Sequence, residues 1–213
     1  MSKRIRAVIF DMDGVLIDAK EWHFEALNRA LALFGMEISR YDHLVTYDGL
    51  PTKKKLEMLS MERGLPRELH DFINALKQQY TLEMAYTKCK PNFSHQYALS
   101  RLKQMGYRVA VCSNAVRESV DLMLKKADLL RHIDFYLSNQ DVVNAKPDPE
   151  IYLKAAERLE LLPGECLVVE DNQNGILAAQ RAGTNVMHIA HTEDANLENI
   201  LANIDFYERG GKL

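Results

Sequence analysis

The chain has 213 residues, 47% of them hydrophobic and 27% charged, which is enough for one large domain or two small ones with a buried core. Its 27 basic and 30 acidic residues give a formal net charge of -3 without long runs of one sign, which argues against nucleic acid or a membrane as a partner. The three cysteines have no metal-ligand spacing, and we interpret them as reduced packing residues.

The first predicted element is a strand, AVIF at residues 7–10, which runs directly into Asp11 and Asp13, with Gly14 after them. The apolar run after the basic start is cut by Asp11 far too early for a signal-peptide core, and no stretch approaches a membrane span. We therefore expect a cytoplasmic protein. A buried strand has no packing reason to end in two carboxylates, which indicates a chemical role for them.

The next segment is predicted to be helical. Amphipathic patterns occur in HFEALNRALALFG, TKKKLEMLSMERG and RELHDFINALKQQYTLEMA, with turn signals at DGLP and GLP between them. A helical insertion at this place would form a cap over the carboxyl edge of the sheet. We therefore predict a catalytic core formed by residues 1–18 and 91–213 and a helical cap domain formed by residues 19–90.

From there on, short apolar runs alternate with helical patterns. Strands are predicted at residues 107–113, 134–138, 166–170 and 185–190, and helices between them. Such alternation is typical of an α/β protein. The predicted fold is a doubly wound, Rossmann-like parallel sheet with an inserted α-helical cap domain.

Polar residues follow four of the predicted strands: Asp11 and Asp13, then Ser113 and Asn114, then Lys146 in the loop beyond the third strand, then Glu170 and Asp171. Because open α/β sheets bind ligands at the carboxyl ends of their strands, we expect these side chains to converge. Buried carboxylates are costly unless a cation joins them, and Mg²⁺ is the hard cation that pairs carboxylates with a substrate phosphate. With a lysine nearby, such a site suits phosphoryl transfer.

The segments that carry these residues, DMDGV, VCSN, KPDPEIY and VVEDNQNGILAA, resemble the four ordered motifs of the haloacid dehalogenase superfamily. The resemblance spans Val8 to Gly183. It is to the subgroup with a helical cap after the first motif, such as phosphoglycolate phosphatase and beta-phosphoglucomutase. It implies an enzyme, a phosphoric monoester hydrolase.

The resemblance also implies a role for each motif residue. Asp11 would be the nucleophile that forms an aspartyl-phosphate, and Asp13 the general acid and base. Ser113 would hold a phosphoryl oxygen, with Asn114 close to the substrate, and Lys146 would stabilise both Asp11 and the phosphoryl group. Dehalogenases lack an acid/base aspartate at the position of Asp13, which favours phosphate esters over haloacids.

The implied cofactor is Mg²⁺. Its ligands would be Asp11, the backbone carbonyl of Asp13, and Asp171. Glu170 would act either as a ligand through water or as a brace for the other groups.

In the cap, His23 and the segment YDGLPTKKK resemble the substrate-facing parts of capped relatives. Gly49, Thr52 and Lys53 are the candidate substrate contacts there, beside His23. The alternative is that Lys53 to Lys55 form only a charged first turn of a helix and that His23 is only part of a cap helix.

Three functions remain open. The first is a magnesium-dependent phosphatase for a small phosphorylated metabolite, such as a sugar phosphate, working as a monomer or a weak dimer. The second is a phosphosugar mutase, which shares the catalytic residues and has a histidine twelve positions after the nucleophile, as His23 stands here. The third is a phospho-receiver or a catalytically silent binding module, which the intact motif residues argue against.

Overall fold

The computed structural model describes residues 5–47 and 50–211. The chain forms two compact units. The core unit comprises Met1–Asp18 with Cys89–Leu213, and the helical unit comprises Ala19–Lys88. The core unit therefore resumes at Cys89 instead of at residue 91, where the sequence places the boundary.

The described part of the helical unit contains helices and no strand. Its helices are α1 (Lys20–Ala32), α2 (Arg40–Asp42), α3 (Thr52–Arg63) and α4 (His70–Lys88), and a π-helical turn (His43–Tyr47) follows α2. Apolar residues of α1, α3 and α4 pack into a hydrophobic cluster that includes Leu31, Leu56, Leu59 and Ile73. This unit thus buries apolar surface of its own.

The core unit contains a parallel sheet, with five strands in the described residues: β1 (Ala7–Phe10), β2 (Arg108–Cys112), β3 (Phe135–Leu137), β4 (Cys166–Glu170) and β5 (Asn185–His188). The strand order is β3-β2-β1-β4-β5, with Ala7 in register with Arg108 on one side and Cys166 on the other. The predicted α/β fold with a parallel sheet is confirmed. The strand order reverses beside β1, which is where such sheets bind ligands.

The core helices are α5 (Phe93–Gln104), α6 (Arg117–Lys126), α7 (Glu150–Arg158), α8 (Gln173–Ala182) and α9 (Leu197–Glu208). A hydrophobic cluster joins the sheet to α7 and α8 through residues such as Ile9, Val168, Ile151 and Ala178. On the edge strand, the Tyr207 hydroxyl donates to the Val186 carbonyl at 2.7 Å and accepts from the Val186 amide at 3.3 Å. It thereby satisfies backbone groups that an edge strand would otherwise expose.

None of the helices in the described part of the chain has the length and apolar character that a membrane crossing demands.

Candidate active site

The loop after β1 places two carboxylates at the end of the central strand. Asp11 directly follows β1, and its amide still donates to the Val169 carbonyl at 3.0 Å. Gly14 has a φ of 92°, in the left-handed region that favours glycine, and this allows the chain to turn back so that its amide reaches the Ile17 carbonyl at 2.7 Å. The turn keeps Asp13, half-buried, within 3.3 Å of the Ser113 hydroxyl, which donates to its Oδ2.

Lys146 is buried at the centre of this group. Its ammonium donates to Asp11 Oδ1 at 2.6 Å, to Glu170 Oε1 at 2.7 Å and to the backbone carbonyl of Cys112 at 2.8 Å. A lysine ammonium has three donors, so all three are used within the protein. A direct contact between Lys146 and a phosphoryl oxygen, as predicted, requires one of these bonds to be exchanged.

The loop after β2 holds the backbone of Lys146. The Asn114 amide accepts from the Lys146 N–H at 3.1 Å and donates to the Lys146 carbonyl at 3.4 Å. The Ser113 hydroxyl, beside it, accepts from the Ala115 amide at 3.0 Å. The observed contacts of Asn114 therefore position the lysine loop, and its predicted contact with the substrate stays a prediction.

Glu170 ends β4 and is buried between several donors. Its Oε1 accepts from Lys146 and also from the Tyr152 hydroxyl at 2.5 Å, and its Oε2 accepts from the Asp171 amide at 3.2 Å. The carboxylate also lies against Gly175, where a Cβ atom would stand 1.8 Å from Glu170 Oε1. Only glycine at residue 175 leaves room for this carboxylate.

The electrostatics of the site follow from burial and crowding. Burial and the carboxylates of Glu170, Asp171 and Asp13 raise the pKa of Asp11 well above its usual value, and the Lys146 ammonium opposes this rise. Burial alone would lower the pKa of Lys146, but the Asp11 and Glu170 carboxylates outweigh it and raise that pKa, so the ammonium stays charged.

This donor set fits a divalent cation. Asp11, Glu170 and Asp171 each offer an oxygen, and the three oxygens lie within 4.8 Å of one another. Carboxylate oxygens at the edge of a sheet are the ligands that hard cations such as Mg²⁺ prefer, and a divalent cation there would offset the repulsion among the three carboxylates. The predicted acidic cluster is therefore present.

The predicted cap residues belong to the helical unit. His23 lies on α1, with its Nδ1 3.1 Å from the Nζ of Lys77 on α4. Thr52 is the first residue of α3 and half-buried, and Lys53 is exposed, whereas Lys55 is the buried lysine of this run. Gly49 lies outside the described residues.

Two residues of the site, Tyr152 and Gly175, were not predicted from the sequence. Tyr152 stands in KPDPEIY and reads as one apolar residue of a predicted helix, because the partner of its hydroxyl is far along the chain, at the end of β4. Gly175 carries a weak signal, since a glycine in the first turns of a predicted helix lowers helix propensity and needs another reason.

An open parallel sheet with carboxylates and a buried lysine at the ends of its strands is the architecture of an α/β enzyme that acts on an anionic ligand. The family model described as haloacid dehalogenase-like hydrolase matches residues 8–189. The chain therefore belongs to this family of hydrolases, and the resemblance of its four motifs is confirmed.

Two similar proteins have names that describe phosphatase or pyrophosphatase activity. A Thermotoga maritima protein named phosphorylated carbohydrates phosphatase is 31% identical over 182 residues, which are 84% of this chain and 82% of that protein. A Bacillus velezensis protein named pyrophosphatase PpaX is 31% identical over 199 residues, which are 89% of this chain and 85% of that protein.

Among solved structures, a beta-phosphoglucomutase from Clostridium difficile has a TM-score of 0.81 at 21% identity, covering 95% of this chain and 98% of that one. This similarity concerns the fold.

Proposed function

We propose that the chain is a magnesium-dependent phosphatase that hydrolyses a small phosphorylated metabolite, a sugar phosphate by preference, through an aspartyl-phosphate. The observation that carries the proposal is the buried Lys146 ammonium, which Asp11 shares with Glu170 at the end of the central strand. The names of the relatives support phosphate as the group removed, and one of them supports phosphorylated carbohydrates as substrates.

In the first step, a carboxylate oxygen of Asp11 attacks phosphorus. The bond from phosphorus to the ester oxygen breaks, and its electron pair leaves with that oxygen, which takes a proton from the Asp13 carboxyl. Lys146 holds Asp11 Oδ1, which leaves Oδ2 for the attack, and Ser113 would contact a phosphoryl oxygen. The products are the aspartyl-phosphate and the free alcohol.

In the second step, the Asp13 carboxylate takes a proton from a water molecule. The resulting hydroxide attacks the aspartyl-phosphate, the bond between phosphorus and Asp11 breaks, and both aspartates return to their starting states. Asp11, Asp171, Glu170 and the backbone carbonyl of Asp13 would hold Mg²⁺. The ion would supply positive charge against the phosphoryl oxygens.

The leaving group would be recognised by the helical unit. His23, Gly49, Thr52 and Lys53 are the proposed contacts, and histidine, threonine and lysine side chains suit a hydroxylated or anionic metabolite. Asn114 is the proposed contact from the core unit.

A phosphosugar mutase is the second candidate. The observation that favours it is the position of His23, twelve residues after Asp11 as in the mutase, and the His23 Nδ1 lies 3.1 Å from the Nζ of Lys77. A mutase would return the phosphoryl group to a sugar instead of passing it to water.

The test is phosphate release from a panel of sugar phosphates, phosphoglycolate and nucleoside monophosphates, each with Mg²⁺ and with chelator. We expect release that requires Mg²⁺ and is fastest with a sugar phosphate. Release that survives chelation would contradict the role of the metal. If no member releases phosphate, isomerisation after addition of a sugar bisphosphate would establish the mutase, and its absence would leave a silent binding module.

A further inference from the structure

The Tyr152 hydroxyl lies inside the site although the mechanism above gives it no task. Tyr152 is fully buried on α7, and its hydroxyl donates to Glu170 Oε1 at 2.5 Å. The same oxygen accepts from the Lys146 ammonium, which also lies 4.8 Å from the centroid of the Tyr152 ring. Tyr152 therefore contacts both Glu170, a proposed ligand of the metal, and Lys146, the lysine that is bound to Asp11.

Glu170 has little freedom to move away from this contact. Gly175 borders the carboxylate closely, because a Cβ atom at this position would stand 1.8 Å from Glu170 Oε1 and 2.3 Å from Oε2. The amide of Asp171 binds the other oxygen, Oε2. The hydroxyl of Tyr152 thus completes an enclosure in which one orientation of the carboxylate satisfies every donor.

We propose that Tyr152 is a positioning residue that holds Glu170 in this orientation. Glu170 can then share the Lys146 ammonium with Asp11 and present its charge beside Asp171 to a divalent cation. The inference rests on the proposed catalytic site and adds a residue that acts through Glu170, with no contact to the substrate.

The Tyr152→Phe variant tests the hydroxyl alone, since phenylalanine keeps the ring over the ammonium and the packing in the core. We expect the dissociation constant for Mg²⁺ to rise about tenfold or more and kcat to fall about 10- to 100-fold, the range typical when a partner of a metal ligand is removed. KM for the phosphate ester should change little, because Tyr152 does not touch the substrate.

Tyr207→Phe is the matched control. Tyr207 lies in the same core unit and also loses a hydroxyl that bonds to a partly buried acceptor, the Val186 carbonyl. Both variants should lower Tm to a similar extent, but Tyr207→Phe should keep the wild-type affinity for Mg²⁺ and the wild-type kcat. If Tyr152→Phe behaves in the same way as Tyr207→Phe, the proposal is overturned.

Two further variants test whether the effect passes through Glu170. Gly175→Ala puts a methyl group where it must displace the Glu170 carboxylate, while alanine suits the helix, so we expect weaker Mg²⁺ binding in a folded protein. In a Glu170→Gln background, the Tyr152→Phe change should add almost nothing to the loss of Mg²⁺ affinity. Fully additive losses would show that Tyr152 acts by another route.

Calorimetric titration with Mg²⁺ alone, without any phosphate ester, separates this inference from the proposed function. Weaker Mg²⁺ binding by Tyr152→Phe supports the inference even if no substrate in the panel is hydrolysed. Wild-type Mg²⁺ binding and turnover in Tyr152→Phe would remove the inference and leave the phosphatase standing.

Discussion

Asp11 and Asp13 are two residues apart in the chain but have different surroundings. Asp11 is buried, is bound to the Lys146 ammonium and lies in the cluster of carboxylates that raises its pKa. Asp13 is half-buried and receives a hydrogen bond from Ser113. A carboxylate held by a cation suits the nucleophile, and a less enclosed one suits proton exchange with water.

The two aspartates should be separable with p-nitrophenyl phosphate, whose leaving group needs no proton. We expect Asp11→Asn to lose about 10³-fold or more of turnover and to form no phosphorylated protein. Asp13→Asn should lose about 10²- to 10⁴-fold of steady turnover, yet release a burst of nitrophenolate and gain the mass of one phosphoryl group, because only the water step lacks its base.

Burst kinetics and intact-protein mass spectrometry provide the measurements. Asp18→Asn, an equivalent change at an exposed aspartate in the same segment, is the control and should leave turnover unchanged. Near-normal turnover in Asp11→Asn would remove the nucleophile assignment, and steady turnover at the wild-type rate in Asp13→Asn would remove the acid/base assignment.

Helices α6 and α7 end in the same way but with different side chains. The residue after each C-cap is left-handed and is not glycine: Asp128 has a φ of 55° and Glu160 a φ of 58°. The next amide in each case returns to the last turn, from Leu161 to the Ala156 carbonyl at 3.0 Å and from Leu129 to the Leu124 carbonyl at 2.9 Å. This is the Schellman arrangement, in which glycine is preferred.

Glu160→Gly should therefore raise the free energy of unfolding by about 0.5–1 kcal/mol. The left-handed conformation costs a residue with a Cβ about 1–2 kcal/mol in the folded state. Replacement by glycine removes this cost, but the gain is reduced because glycine loses more conformational entropy on folding. Urea denaturation with an unchanged slope would measure the gain.

Asp128→Gly is the contrasting variant for the same backbone position. Its carboxylate accepts from Gln96 at 3.0 Å and from Arg131 at 2.6 Å, so the loss of these bonds should cancel the conformational gain. A Glu160→Gly protein that is less stable than the wild type would contradict the strain argument.

The elements differ in how well the sequence predicts them. β1 and β4 are predicted because buried parallel strands read as unbroken apolar runs, AVIF and CLVVE. Helix α9 was not predicted: its residues LENILANIDFYE include two asparagines and an aspartate, which weaken helix propensity, and its stability depends on packing against α5 and β5.

The residues of the candidate site also differ in how well the sequence predicts them. The motif residues were predicted because charged and polar residues that follow predicted strands are visible in the sequence itself. The contact between Tyr152 and Glu170 was not, because it joins two elements whose side chains meet only after the sheet and α7 have packed. A hydroxyl at an apolar helix position looks the same in sequence whether it meets water or a buried carboxylate.

Each of the two units has a hydrophobic cluster of its own, so we expect local openings to stay within a unit. Leu59→Ala removes a fully buried side chain of the helical unit, at a cost of about 2–5 kcal/mol. Hydrogen exchange should become faster in α1, α3 and α4 and change much less in the strands.

Leu102→Ala, at an equally buried position on α5 of the core unit, should give the opposite pattern, with faster exchange in the sheet. Equal acceleration in both units by either variant would show that they unfold as one, and mass spectrometry of peptides after exchange would distinguish the outcomes.

The pairing of Ala7 with Arg108 has a consequence for the order in which the protein folds. β1, which Asp11 follows, can pair with β2 only after about a hundred further residues have been synthesised. Closing so long a loop costs entropy, whereas the contacts among the helices of residues 19–88 span shorter stretches of chain and form sooner. We expect those helices to fold first and to shorten the loop, so that the central strand, with the proposed nucleophile at its end, is among the last to find its partners.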